Sequence, residues 1–93
     1  MDTSIETIIR GIPRNVAFDA HYVIDTLIRD YSDVYLNYAT TMGAQDGITP
    51  TMHSQISRRI SQLEGSLIAN TDMQSWSYNI RGRASECKLW RRI

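Results

Sequence analysis

The sequence predicts a single α+β domain over residues 1–93, mostly helical and ending in a β-hairpin. As far as about residue 63, apolar residues recur three and four positions apart, which is the spacing of amphipathic helices. Near residue 75 the period changes, and apolar and polar residues alternate as they do in a strand. A length of 93 residues with 42% hydrophobic content suits one core.

The first helix is predicted over about residues 3–10. Thr3 and Glu6 have the spacing of a capping box, in which the threonine hydroxyl caps the helix and the glutamate reaches back to the cap amide. Gly11 is expected to end this helix as its C-cap. Residues 15–18 are too few for a helix and are expected to form a brief extended segment.

A second helix is predicted to start after Asp19, whose side chain can accept a hydrogen bond from an amide of the first turn. Its buried stripe has the helical spacing and consists of Ala20, Val23, Ile24, Leu27 and Ile28. The polar run at residues 30–33 interrupts this stripe. A separate helix from Ser32 is therefore favoured over one kinked helix.

A turn-rich loop at residues 43–47 precedes the next helix, which is expected over residues 50–63. Thr49 is expected to cap this helix, and Pro50 suits its first turn, where a missing amide hydrogen costs nothing. Its buried stripe consists of Met52, Ile56, Ile60 and Leu63. The opposite face carries long polar side chains.

The hairpin is predicted over residues 75–91. Residues 70–72 read as a turn, and residues 75–80 then alternate with a strand period. A glycine-centred loop at residues 81–85 joins this run to a second strand that begins at Cys87.

Charge is unevenly distributed, although the net charge of the chain is zero. Residues 1–47 hold seven acids and three bases, a balance of −4, and residues 48–93 hold three acids and seven bases, a balance of +4. This asymmetry predicts that one side of the domain faces a polyanion. The alternative is chance, because small domains often show a few charges of asymmetry.

The second half of the chain resembles the winged helix-turn-helix class. The resemblance rests on residues 53–60 (HSQISRRI) followed by residues 79–92 (NIRGRASECKLWRR), which are also similar to small uncharacterised bacterial, phage and plasmid proteins. It implies that the helix before the hairpin is a recognition helix and that the hairpin is a wing. The segment at residues 31–48 is longer than a tight helix-turn-helix turn, which implies an extra helix between helix 2 and the recognition helix.

On such a recognition helix, four side chains would face the major groove: Gln55, Arg58, Arg59 and Gln62. Arginine can read guanine there and glutamine can read adenine, each contact giving about 1–3 kcal/mol of discrimination. Thr51 and Ser54, with His53, lie near the helix start and can bind phosphate.

The wing adds further bases. Arg81 and Arg83 at its tip suit a minor groove or phosphates, and Lys88, with Arg91 and Arg92, would add phosphate contacts. If roughly four to six phosphates are neutralised, the logarithm of affinity falls with that of salt at a slope of about −4 to −5. The expected function is a small transcriptional regulator that binds double-stranded DNA. Solvation or protein contact is the alternative for these bases.

Aromatic residues leave two alternatives open. Trp76, Tyr78 and Trp90 could stack on single-stranded nucleic acid, but core packing is favoured. Four tyrosines at helical spacing in the acidic half could line a dimer face or a partner's site, or pack internally: Tyr22, Tyr31, Tyr35 and Tyr38. The alternative function is therefore a protein-binding winged helix, such as an adaptor or an inhibitor of host machinery from a phage or mobile element.

The sequence predicts no enzyme, no metal site and no cofactor. Cys87 is the single cysteine and is expected to be a small buried hydrophobe, and His21 and His53 do not by themselves supply a zinc site. A glycine-rich phosphate loop is not recognisable. Neither a membrane span nor a secretory signal is recognisable either, so a reducing, cytoplasmic location is expected.

Overall fold

The computed structural model describes residues 1–42, 48–78 and 84–93, and the side chains of residues 1–40, 53–76 and 86–93. Within these ranges it contains four helices and three strands: α1 (Asp2–Arg10), β1 (Ala17–Asp19), α2 (Ala20–Asp30), α3 (Ser32–Met42), α4 (Ile48–Ser61), β2 (Ile68–Tyr78) and β3 (Ala84–Arg92). The predicted α+β class and the separate helix from Ser32 are confirmed. None of the helices in these ranges combines the length and apolarity that a bilayer crossing requires.

The three strands form one antiparallel sheet in the order β1-β3-β2. The central strand β3 pairs with β2 to form the hairpin, and it also pairs with β1, where Asp19 lies opposite Leu89. The short strand that precedes α2 is therefore joined directly to the last strand of the chain.

The strand β2 is longer than predicted. It begins at Ile68, not at residue 75, and the expected turn at residues 70–72 is a bulge within the strand. Asp72 has a φ of 58° there, and its amide donates to Asn70 Oδ1 at 2.9 Å. Asn70 and Asp72 thus form a local turn, as expected, but the pairing of β2 with β3 continues on both sides of it.

The core lies between the helices and one face of the sheet. It contains apolar residues from α1 and the turn after it, β1, α2, α4, the turn before β2, β2 and β3: Ile5, Ile8, Ile9, Ile12, Phe18, Ala20, Val23, Ile24, Leu27, Ile56, Ile60, Leu67, Ile68 and Trp90. The rings of Phe18 and Trp90 lie 6.0 Å apart across β1 and β3. The predicted stripe of α2 is confirmed from Ala20 to Leu27, whereas Ile28 is only partly buried.

The two predicted N-caps in the first third of the chain differ in outcome. Asp19 caps α2 and accepts a hydrogen bond from the Tyr22 amide at 3.0 Å, as expected. The capping box was wrong, because α1 begins at Asp2 with Met1 as a cap that makes no side-chain hydrogen bond. Thr3 therefore lies inside the first turn, and Glu6 pairs with Arg10 instead, at 3.0 Å.

The helix α4 begins at Ile48 and ends at Ser61, so the predicted range of 50–63 is displaced by two residues at each end. Thr49 lies inside the helix and not at its cap. Ile56 and Ile60 are fully buried, as the predicted stripe requires. Gly65, with a φ of 89°, lies in the turn that leads from α4 into β2.

Candidate nucleic-acid interface

One face of α4 is a polar stripe exposed to solvent. Ser54, Arg58 and Gln62 are all exposed, and their spacing of four places them on the side opposite Ile56 and Ile60. The backbone amide of Gln62 donates to the backbone carbonyl of Arg58 at 3.2 Å, so the helical spacing continues one residue past Ser61. Arg58 forms no ion pair with any residue that the structure describes. We call Ser54, Arg58 and Gln62 the α4 stripe.

The neighbouring Arg59 has a different role from Arg58. Its guanidinium forms an ion pair with Asp2 of α1 and lies 5.3 Å from the centre of the Tyr38 ring. The hydrogen bond to Asp2 raises the pKa of Arg59 above its already high ordinary value. The sequence does not distinguish these two adjacent arginines, but the structure does. Arg58 faces solvent, whereas Arg59 links α4 to α1 and α3.

The helix α3 packs against α4 through its tyrosines. The Tyr38 hydroxyl donates to Gln55 Oε1, and the Tyr35 hydroxyl lies 3.0 Å from His53 Nε2. Burial raises the pKa of the Tyr35 phenol. Gln55 is therefore half-buried and occupied by a contact within the chain.

Tyr35 and Tyr38 are therefore engaged in hydrogen bonds to α4 within the chain. Tyr31 is also partly buried against the core. Of the four tyrosines in that half, Tyr22 is the exposed one, at 48%.

Lys88 of β3 is also paired within the chain. Glu64 Oε1 accepts hydrogen bonds from Lys88 Nζ and from Trp90 Nε1, each at 3.0 Å. These hydrogen bonds, that of Lys88 first, lower the pKa of Glu64, so the carboxylate is charged at neutral pH and balances the lysine. The ammonium also lies 5.8 Å from the centre of the Trp90 ring. Lys88 and Glu64 therefore link β3 to the turn after α4, next to the buried Trp90.

The two last arginines differ in the same way. Arg92 donates to the carbonyls of Ile9 and Leu67 at 3.1 and 3.2 Å, so it joins the end of β3 to α1 and to the turn that leads into β2. Arg91 is exposed. Arg81, Arg83 and the side chain of Thr51 lie outside the described residues, so their predicted contacts stay predictions.

The expected core position of Trp76 was wrong, since this side chain is 72% exposed. Trp90 lies opposite Asn70, at the end of the hairpin that the helices cover, and it is 1% exposed. Trp76 lies opposite Glu86, nearer the loop. Strand alternation assigns both tryptophans to a face of the sheet, but it does not show how far along the hairpin that face is covered.

The structure also brings together three residues that the sequence did not indicate as a group: Asp19, His21 and Cys87. One potential ligand atom from each lies within 4.8 Å of those of the other two. The only local signal is the Asp-x-His spacing at the start of α2. Cys87 joins them through the pairing of β1 with β3.

Compared with protein-family models, with curated protein sequences and with solved structures, the chain shows no significant match in any of the three. The function is therefore inferred from the geometry and chemistry of the chain itself.

Proposed function

We propose that this chain is a winged-helix protein that binds double-stranded DNA, with α4 as its recognition helix. The order of elements supports this proposal, since a helix, a strand and three further helices precede a hairpin whose second strand is central in the sheet. The observation that carries it is the α4 stripe, on the helix that directly precedes the hairpin. A helix with one face buried and a polar, basic opposite face can enter the major groove.

Each residue of the α4 stripe has a chemical role in this proposal. Arg58 supplies an exposed guanidinium, which can bind guanine O6 and N7 bidentately or a phosphate. The side-chain amide of Gln62 can form two hydrogen bonds with adenine, and the Ser54 hydroxyl can bind a phosphate. Gln55 and Arg59 are not assigned to DNA, because Tyr38 and Asp2 bind them within the chain.

Fewer bases are available for phosphates than the sequence alone indicates. Arg59 and Lys88 are balanced by Asp2 and Glu64, which leaves Arg58 and Arg91 among the exposed described bases of the second half. Together with Arg81 and Arg83, which the sequence predicts at the tip of the wing and which lie outside the described residues, about four phosphate contacts are expected. The affinity should then fall with salt at a slope of about −3 to −4.

A fluorescence-anisotropy titration of a labelled random DNA duplex, at low and at moderate salt, tests the proposal. Arg58→Ala is expected to weaken binding about tenfold or more and to reduce the salt slope by about one. The matched control is Arg14→Ala, which removes the same charge from an exposed position before β1 and should bind like the wild type. Failure of the wild type to bind at low salt, or equal losses in both variants, would overturn the proposal.

A second candidate function, protein docking, is favoured by one observation, the exposure of Trp76 on the hairpin. Tryptophan is enriched at the energetic centres of protein interfaces, and 72% exposure leaves most of this indole open to a partner. The first partner to test is a second copy of the chain, by light scattering on a size-exclusion column. Concentration-dependent dimerisation that Trp76→Ala abolishes would support docking, and a wild type that stays monomeric would count against self-association.

A further inference from the structure

Three side chains of different chemistry meet where β1, α2 and β3 join. Asp19 ends β1 and caps α2, His21 lies in the first turn of α2, and Cys87 lies on β3. Asp19 is opposite Leu89 across the β1–β3 pairing, and Cys87 is two residues from Leu89 on the same strand. The two-residue period of a strand puts Cys87 on the same face of the sheet as Leu89 and Asp19.

The distances suit a tetrahedral metal ion. Cys87 Sγ lies 3.8 Å from His21 Nδ1, and an Asp19 carboxylate oxygen completes a group whose atoms lie within 4.8 Å of one another. Zinc bonds of about 2.3 Å to sulfur and about 2.0–2.1 Å to nitrogen, at the tetrahedral angle, separate those two atoms by about 3.5 Å. Binding would therefore require the thiol and the imidazole to move slightly closer, and any pair of ligand atoms as far apart as 4.8 Å to close to about 3.5 Å.

The ligand types select among metals. A thiolate, an imidazole and a carboxylate together suit a borderline-soft ion such as Zn²⁺, whereas Mg²⁺ and Ca²⁺ prefer sets of oxygen atoms alone. We propose that Asp19, His21 and Cys87 bind one Zn²⁺ ion through three protein ligands. This proposal goes beyond DNA binding and does not depend on it.

The surroundings of the carboxylate support the proposal. Asp19 is 9% exposed, and it accepts hydrogen bonds from the Tyr22 amide at 3.0 Å and from Ser75 Oγ at 2.7 Å. Hydrogen bonds of this kind orient the ligands of metal sites, and their loss commonly weakens metal affinity about 10–100-fold. Ser75 therefore becomes a positioning residue for the ion.

A cleft that Asp19 lines can supply water as a fourth ligand. Its volume is about 430 Å³, and Asp19, Tyr22 and Ser75 are among the residues that line it. Three protein ligands and one water are the arrangement of zinc sites that keep an exchangeable position. A water molecule from the cleft would complete the tetrahedron here.

Binding should be coupled to protons and to folding. Protons compete for the thiolate and the imidazole, so zinc affinity is expected to fall as the pH is lowered. Because the ligands come from β1, α2 and β3, the ion would tie the first strand to the last one, and zinc should raise the melting temperature.

Metal titration of the reduced, chelator-stripped full chain tests the proposal. Co²⁺ alone is used first, since a cobalt–thiolate bond gives a charge-transfer band, and Zn²⁺ is then measured by competition with a chromophoric chelator. One equivalent of Co²⁺ should produce the band, and Zn²⁺ should displace it. Cys87→Ser and His21→Gln should each remove the band, and Ser75→Ala should weaken zinc binding about tenfold.

The matched control is His53→Gln, which changes the other histidine and should leave the band and the zinc affinity unchanged. Asp19→Asn keeps an acceptor for the helix cap, and it should weaken zinc binding while its far-UV circular dichroism stays that of the wild type. A wild type without a stoichiometric cobalt–thiolate band would overturn the proposal. An equal loss in His53→Gln and His21→Gln would overturn it too.

Discussion

Arg58 and Arg59 are adjacent and chemically identical, yet the structure predicts opposite consequences when each is replaced by alanine. Arg58→Ala removes an exposed side chain that forms no ion pair with the described residues, so the free energy of unfolding should change by less than about 0.5 kcal/mol. If α4 binds DNA, the same change should weaken that binding about tenfold or more.

Arg59→Ala should instead destabilise the fold. The side chain of Arg59 is 33% exposed and that of Asp2 is 70% exposed, so their ion pair contributes only about 0.2–1 kcal/mol. The contact with the Tyr38 ring, at 5.3 Å, adds about 0.5–1 kcal/mol. The expected loss is about 0.7–2 kcal/mol, and each kcal/mol corresponds to a decrease of about 4–8 °C in Tm for a domain of this size.

Thermal and urea unfolding of both variants, with DNA titrations alongside, measure this difference. Asp2→Ala completes a double-mutant cycle, which is needed because Asp2 also lies in the first turn of α1 and interacts with the helix dipole. A coupling energy of about 0.2–1 kcal/mol between Asp2 and Arg59 is expected. If Arg59→Ala melts with the wild type and loses as much DNA affinity as Arg58→Ala, the separation of the two arginines is refuted.

Three further predictions concern stability. The lowered pKa of Glu64 gives stability that is present above the ordinary glutamate pKa of about 4.3 and is lost as the pH falls through the folded-state pKa. The urea midpoints of the wild type and of Glu64→Gln should therefore converge between pH 7 and about pH 3. A constant gap between the two midpoints would contradict this. The raised pKa of Tyr35 gives stability that is present below about pH 10 and is lost as the pH rises further. The Tm of Tyr35→Phe should therefore fall less than that of the wild type between about pH 9 and 11. Parallel curves of Tm against pH for the two proteins would contradict this. Ile60→Ala should lower the free energy of unfolding in urea by about 2–5 kcal/mol, because this side chain is fully buried. The control Leu36→Ala changes a side chain that is 60% exposed, and it should alter the free energy of unfolding by less than about 0.5 kcal/mol. Equal effects of the two substitutions would contradict the packing of α4.

The elements that the sequence predicted well are those that depend on neighbours within one helical turn. Asp19 caps α2 as expected, because the cap hydrogen bond joins it to an amide three residues away. The stripe of α2 is buried as its spacing requires, and the break before Ser32 is confirmed. The capping box at Thr3 failed on the same local scale, because the helix began one residue earlier and Glu6 had Arg10 as an alternative partner.

Exposure along the hairpin was harder to predict. Trp76 and Trp90 both follow the strand period, but only Trp90 lies where the helices cover the sheet. Periodicity reports the face on which a side chain lies. It carries no information on where along a strand the neighbouring elements stop, because that depends on the packing of segments distant in sequence.

By itself, the sequence determined that this chain is an α+β domain, and it determined the helices, the presence of the hairpin and the apolar stripes, since each depends on short-range spacing. Only the tertiary structure decided which basic side chains face outward, which are used within the chain, and which residues distant in sequence meet. Arg59 meets Asp2 across 57 residues, and Cys87 meets His21 across 66. Contacts over such separations are set by the packing of α4 against α1 and by the pairing of β1 with β3, and neither leaves a periodic trace in the sequence.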